Sequence, residues 1–144
     1  MSLNSLMKSV VVAMAFALVA GAATSAVAAQ KKHGVVMQVS ENNPAIWNLT
    51  LNNAKNLQQT LGKDNVDIEI VAYGPGLHML MFDSEVANRL SDAEKSGVTL
   101  AACGNTMKAM KVSEKDLHDG VKVVPGGIVE IMQKQEAGWT YIKP

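Results

Sequence analysis

The chain has 144 residues, and its 13 basic and 13 acidic side chains give a formal net charge of zero. A neutral chain with no basic block has no electrostatic footprint for nucleic acid, and a single cysteine excludes an intrachain disulfide. The length suits one domain.

Residues 1–29 are expected to be a secretory signal peptide. Lys8 supplies the positive start, Val10 to Ala20 the apolar core, and Ser25 to Ala29 the small residues for cleavage. Cleavage after Ala29 leaves Gln30 first, with Ala28 as the neighbouring alternative. The apolar stretch is short for a membrane anchor, and no second one follows. The product is expected to be a soluble periplasmic domain over residues 30–144, no longer associated with the membrane. Loss of Lys8 leaves it about one charge negative. A domain this small is marginal in burial, so self-assembly would help it.

Within that domain the pattern alternates between strand and helix. Gly34 to Val39 predicts a first strand. Asn43 and Pro44 predict a helix N-cap and first position. The helix runs to Leu61 with Ile46, Trp47, Ala54, Leu57 and Leu61 on one face, and Gly62 ends it. Val66 to Ala72 is β-branched and predicts the second strand. Tyr73-Gly-Pro-Gly76 predicts a turn, and Leu77 to Phe82 is apolar and reads as a short strand, a helical turn or a buried loop. Ser84 is expected to cap a second helix that buries Val86, Leu90 and Ala93 and stops at Gly97.

Val98 to Ala102 predicts a third strand buried on both sides. Asn105 is expected to cap a short helix to Met110, and Ser113 to Asp116 has the pattern of a capping box. Val121 to Val124 predicts the fourth strand. Gly126-Gly127 opens a last helix in which Ile128, Ile131, Met132 and Gln135 recur at helical spacing. Gly138 ends it, and Trp139 to Ile142 predicts an edge strand. Alternating strands and helices predict an α/β fold with a mostly parallel sheet covered on both faces. Ligands of such sheets bind outside the carboxyl ends of the strands, where Cys103 and the loop at Gly74 are expected to lie.

Three stretches carry a family resemblance: Ala102-Cys-Gly-Asn-Thr-Met-Lys-Ala-Met-Lys111, Gly120-Val through Gly126-Gly-Ile-Val-Glu-Ile-Met-Gln, and the closing Gly138-Trp-Thr-Tyr-Ile-Lys. In these the chain resembles the DsrE/DsrF-like family, closest to its small exported members. The resemblance implies a three-layer α/β/α fold on a five-stranded parallel sheet, and assembly into trimers or hexamers. In the sulfur-relay members a cysteine after the third strand carries sulfur as a persulfide, and Cys103 falls on that position. Gly104, Asn105 and Thr106 depart from the residues that follow it there, and those relays work in the cytoplasm.

Cys103 therefore has two readings: a small buried residue ending a strand, or a thiolate that takes up sulfane sulfur and passes it on. In the second, Gly104, Asn105 and Thr106 supply backbone N–H groups at the helix start, and Gly74 and His78 belong to the same rim. Such a protein is a sulfur carrier or transferase component with a donor or acceptor protein as partner, not a stand-alone hydrolase. The alternative class is a binding module for a small anion or soft metal, or a structural oligomer. His78, Met79 and Met81 are the residues a copper ion would draw on, although the methionines fit equally as core. No resident metal site or cofactor is expected. His33 and His118 are expected in solvent, Trp47 and Trp139 in the core or a subunit interface. Asp64, Asp67 and Glu69 form no acid pair. Asn48-Leu-Thr50 matches a glycosylation acceptor but falls within a predicted helix.

Overall fold

The computed structural model describes residues 32–144; the expected signal peptide lies outside the described residues. Five strands form one parallel sheet: β1 (His33–Val39), β2 (Val66–Ala72), β3 (Thr99–Cys103), β4 (Lys122–Val124) and β5 (Thr140–Ile142), in the order β4-β3-β2-β1-β5. The register brings the carboxyl ends together, with Val39 beside Ala72, Ala72 beside Ala102, and Cys103 beside Val124. Four α-helices connect or cover them: α1 (Pro44–Leu61), α2 (Ala87–Lys95), α3 (Gly104–Met110) and α4 (Gly127–Glu136). The fold is the three-layer α/β arrangement expected.

The layers are unequal. Val35, Met37 and Val39 of β1 and Ile68, Ile70 and Ala72 of β2 alternate onto one face. There they join the large core with Leu100 of β3 and with Trp47, Leu51, Ala54, Leu77, Leu90 and Met107 from α1, α2, α3 and the 3₁₀ segment after β2. The hydrophobic cluster on the opposite face is smaller: Val36, Val71 and Ala101 against Ile131, with Tyr73, Val124 and Trp139 packed at the margin. Among the described residues α4 is the helix on that face.

Local signals act as expected at several ends. The Asn43 side chain accepts the Ala45 N–H at 3.0 Å and Pro44 opens α1. Gly62 takes φ 86° after it, a left-handed value that suits glycine. The Asp116 carboxylate accepts the Ser113 N–H at 2.8 Å and its hydroxyl at 2.7 Å.

The apolar stretch after β2 takes the helical reading: Gly74 to Leu80 is a 3₁₀ helix, which absorbs the expected turn. Other expectations are corrected. Ser84 does not cap α2, which starts at Ala87; it instead accepts the Ala87 N–H through its carbonyl at 2.9 Å. The N-cap of α3 is Cys103 itself, and Asn105 lies inside the helix. Of the recurring apolar residues in α4 only Ile131 is buried; Ile128 is 59% and Met132 50% exposed. Trp139 precedes β5 and donates its N–H to the Lys134 carbonyl at 3.0 Å. His118 is mostly covered, its Nε2 lying 3.2 Å from the Ser91 hydroxyl and 3.4 Å from the Glu94 carboxylate. Asn48 lies in α1 and donates its side-chain N–H to the Pro44 carbonyl at 2.8 Å, so that amide is already engaged.

Candidate functional site

Neighbouring strands β3 and β4 send their chains to opposite faces of the sheet: α3 joins the large core through Met107, whereas α4 packs on the small one through Ile131. Ligands of open parallel sheets bind at such a divergence. Cys103 ends β3 at that point. Its side chain shares a face with Ala101, two residues earlier. It therefore lies under the start of α4 while its backbone begins α3.

The two helix starts converge on the sulfur. The thiol is buried, at 5% exposure. Burial pushes its pKa up, but the Thr106 hydroxyl and the amides of Gly127, Thr106 and Asn105 outweigh burial and hold the thiol below its ordinary value. The Asn105 N–H is shared with the Pro125 carbonyl at 3.3 Å. Thr106 is oriented from outside the helix: its Oγ1 accepts the Gly74 N–H at 2.9 Å. That bond occupies a lone pair and leaves the hydroxyl proton to donate to the thiolate. Gly74 has φ 53°, a left-handed value suited to glycine.

Glycine sets the closeness of the helix starts. A Cβ at Gly127 would lie 3.1 Å from the Tyr73 Cβ and 3.3 Å from the Cys103 Cβ. One at Gly104 would lie 3.1 Å from the Val124 carbonyl oxygen. The space at Gly104 thus serves packing between α3 and β4. Cys103, Gly104, Asn105, Thr106 and Gly74 are brought together. His78 is not joined to them by any hydrogen bond among the described residues: it is exposed, whereas the adjacent Met79 is fully buried in the large core. Met81 ends the 3₁₀ segment, partly buried against the same core. Among the described residues no group of three or more His, Cys, Asp and Glu side chains converges as a metal site.

Two contributors escaped the sequence reading. Gly127 was legible only as part of a helix-opening glycine pair. Tyr73 reads in the sequence only as a turn residue. The Tyr73 phenol is pushed above its ordinary pKa by burial and by Tyr141, against the Ser40 hydroxyl, which lowers it. Farther down the same face, Glu69 is buried in β2 with its carboxylate 2.7 Å from Lys134 Nζ. Lys134 also lies 4.3 Å over the Trp139 ring and 3.6 Å from Glu130. Burial raises the Glu69 carboxyl, and Lys134 pulls it back.

Comparison with known proteins agrees with this architecture. MTH1491 from Methanobacterium thermoautotrophicum, a protein of unknown function, superposes with a TM-score of 0.75 at 36% identity, over 78% of this chain and all (100%) of that one. BT1422 from Bacteroides thetaiotaomicron, also of unknown function, gives 0.64 at 18% identity, over 77% and 94% of the two chains. The ychN protein from E. coli gives 0.63 at 16%, over 79% and 99%. The latter two share the fold at identities that speak to nothing finer. No match was found among curated proteins. The family model for the DsrE/DsrF-like family matches residues 13–144. The chain belongs to the DsrE/DsrF-like family.

Proposed function

We propose that this protein carries sulfane sulfur on Cys103 as a persulfide. The observation behind the reading is the sulfur held between the starts of α3 and α4, with the Thr106 hydroxyl freed by Gly74 to stabilise a thiolate. The family's association with sulfur relay supports it. The Cys103 thiolate attacks the outer sulfur of a persulfide R–S–SH. The S–S bond to R breaks, a new one forms to Cys103, and R–S⁻ leaves with the bonding pair. An acceptor thiolate then takes the same sulfur and returns Cys103 as thiolate. No net oxidation occurs in either step.

The carrier belongs to the periplasm on this reading, after removal of residues 1–29, and works as a homo-oligomer with a donor or acceptor protein. Exposed Ile128, Val129 and Met132 on α4 favour self-assembly. The low exposure of Cys103 favours a second reading, a binding module or structural oligomer in which the thiol only fills space. Mixing the protein with sodium tetrasulfide and weighing it intact separates the two. The carrier gains one sulfur atom, and Cys103→Ser gains none. A wild-type protein that stays unmodified, or a Cys103→Ser variant that still gains the sulfur, overturns the carrier.

A further inference from the structure

The chain has two tyrosines, and both stand on the Cys103 face of the sheet, Tyr73 at its carboxyl rim and Tyr141 level with Val36 and Glu69. Val36, Val71 and Ala101 define that face. Gln38 and Ser40 follow Val36 in phase, Tyr73 follows Val71, and Cys103 follows Ala101. Tyr141 pairs directly with Val36. The Tyr141 hydroxyl donates to Gln38 Oε1 at 2.5 Å, and Gln38 Nε2 donates to the Ser40 hydroxyl at 3.1 Å. Tyr73 stands next to this pair at the strand ends, its backbone N–H donating to the Val39 carbonyl at 3.1 Å. The Tyr73 Cβ and ring lie against Gly127, as Cys103 does from the other side.

A line of polar side chains therefore leaves the neighbourhood of the sulfur at the rim and slants across β2 and β1 to β5. Neighbouring strands are about 4.8 Å apart, so the line extends roughly 14 Å from β3. It contains no charge. Its hydroxyls and amide both donate and accept, and Tyr141 remains 37% exposed. A bare inorganic polysulfide has no use for such a length and presents no donor to its acceptors. Amide groups of a peptide-like molecule match it in length and in hydrogen-bond chemistry.

We propose that Gln38, Ser40, Tyr73 and Tyr141 dock the organic part of a peptide-like thiol or persulfide whose sulfur is placed at Cys103. The assignment rests on the persulfide reading of Cys103 and names the donor class as organic. The Cys103→Ser protein, which cannot react, is titrated with S-methylglutathione and followed by backbone NMR. Saturable shifts are expected at Gln38, Ser40, Tyr73 and Tyr141. Adding Gln38→Ala or Tyr141→Phe should weaken binding about five-fold each, as loss of one hydrogen bond does. Absent saturation, shifts confined to other segments, or affinity unmoved by both substitutions overturns the docking line. Should Gln38→Ala not fold, Tyr141→Phe, which loses one hydroxyl on an edge strand, carries the test. A tetrasulfide adduct on wild type without S-methylglutathione binding sinks the docking line alone. Binding without an adduct sinks the carrier alone.

Discussion

At the scale of single residues, the behaviour of Cys103 is a contest between burial and hydrogen bonding. Burial disfavours the thiolate, and the donors around the sulfur reverse the outcome. The rate of iodoacetamide labelling of native protein against pH should therefore show a midpoint below the ordinary thiol value of 9.0. Thr106→Val removes the leading donor and should shift the midpoint upward, with slower labelling at neutral pH. The same asymmetry enters stability. A depressed folded-state value means that the thiolate favours the fold, so stability gains as pH rises from the folded midpoint towards 9.0 and the gain is absent below it. Urea unfolding of wild type and Cys103→Ser over that range should diverge in this sense. A labelling midpoint at or above 9.0 contradicts the account.

At the scale of elements, α4 bears an unusual load. It is the one helix on its face among the described residues, and it buries Ile131 but leaves Ile128, Val129 and Met132 outside. Part of its hold on the sheet is ionic, through Lys134 to the buried Glu69. Lys134→Ala strands that carboxylate and should cost about 1–3 kcal/mol at neutral pH, measured by urea unfolding. The pH dependence follows from the sign. Glu69 is raised in the fold by burial, so its contribution is present below the free value of 4.5 and is lost as pH rises through the folded value. Lys134 is the group that pulls the folded value down. Its removal should make the variant lose stability more steeply between acid and neutral pH than wild type does. A flat difference would mean that the pair acts through packing alone. Gly34 offers the complementary packing contact: the Trp139 ring occupies the space its Cβ would take.

At the scale of the whole molecule, the two sheet faces divide the work. The thick face holds the large core of α1, α2 and α3, and the thin face holds Cys103, the polar line from Tyr73 to Tyr141 and the exposed side of α4. If that side is a contact between copies, Ile128→Glu with Met132→Glu should lower the oligomer mass in light scattering while leaving the far-UV spectrum unchanged. An unaltered mass places the contact elsewhere. Much of the architecture was legible beforehand because it is local. The apolar run at Gly34–Val39, the β-branched run at Val66–Ala72, the Asn43-Pro44 start and the Gly62 stop each act within a few residues, and alternation with helices implies parallel strands. Reading failed where the competing groups are distant in the chain. Asn105 has the chemistry of a cap, yet pairing of Cys103 with Val124 extends β3 by one residue and gives the cap position to the thiol. Nothing within reach of Met79 signals that it is buried in the large core while His78 is exposed. Gly127 meets Cys103 only because β3 and β4 are neighbours whose helices part to opposite faces. Local dihedral and hydrophobic preferences are written into adjacent residues, whereas the surroundings of one sulfur atom are assembled by packing across the sheet and exist only once the chain has closed on itself.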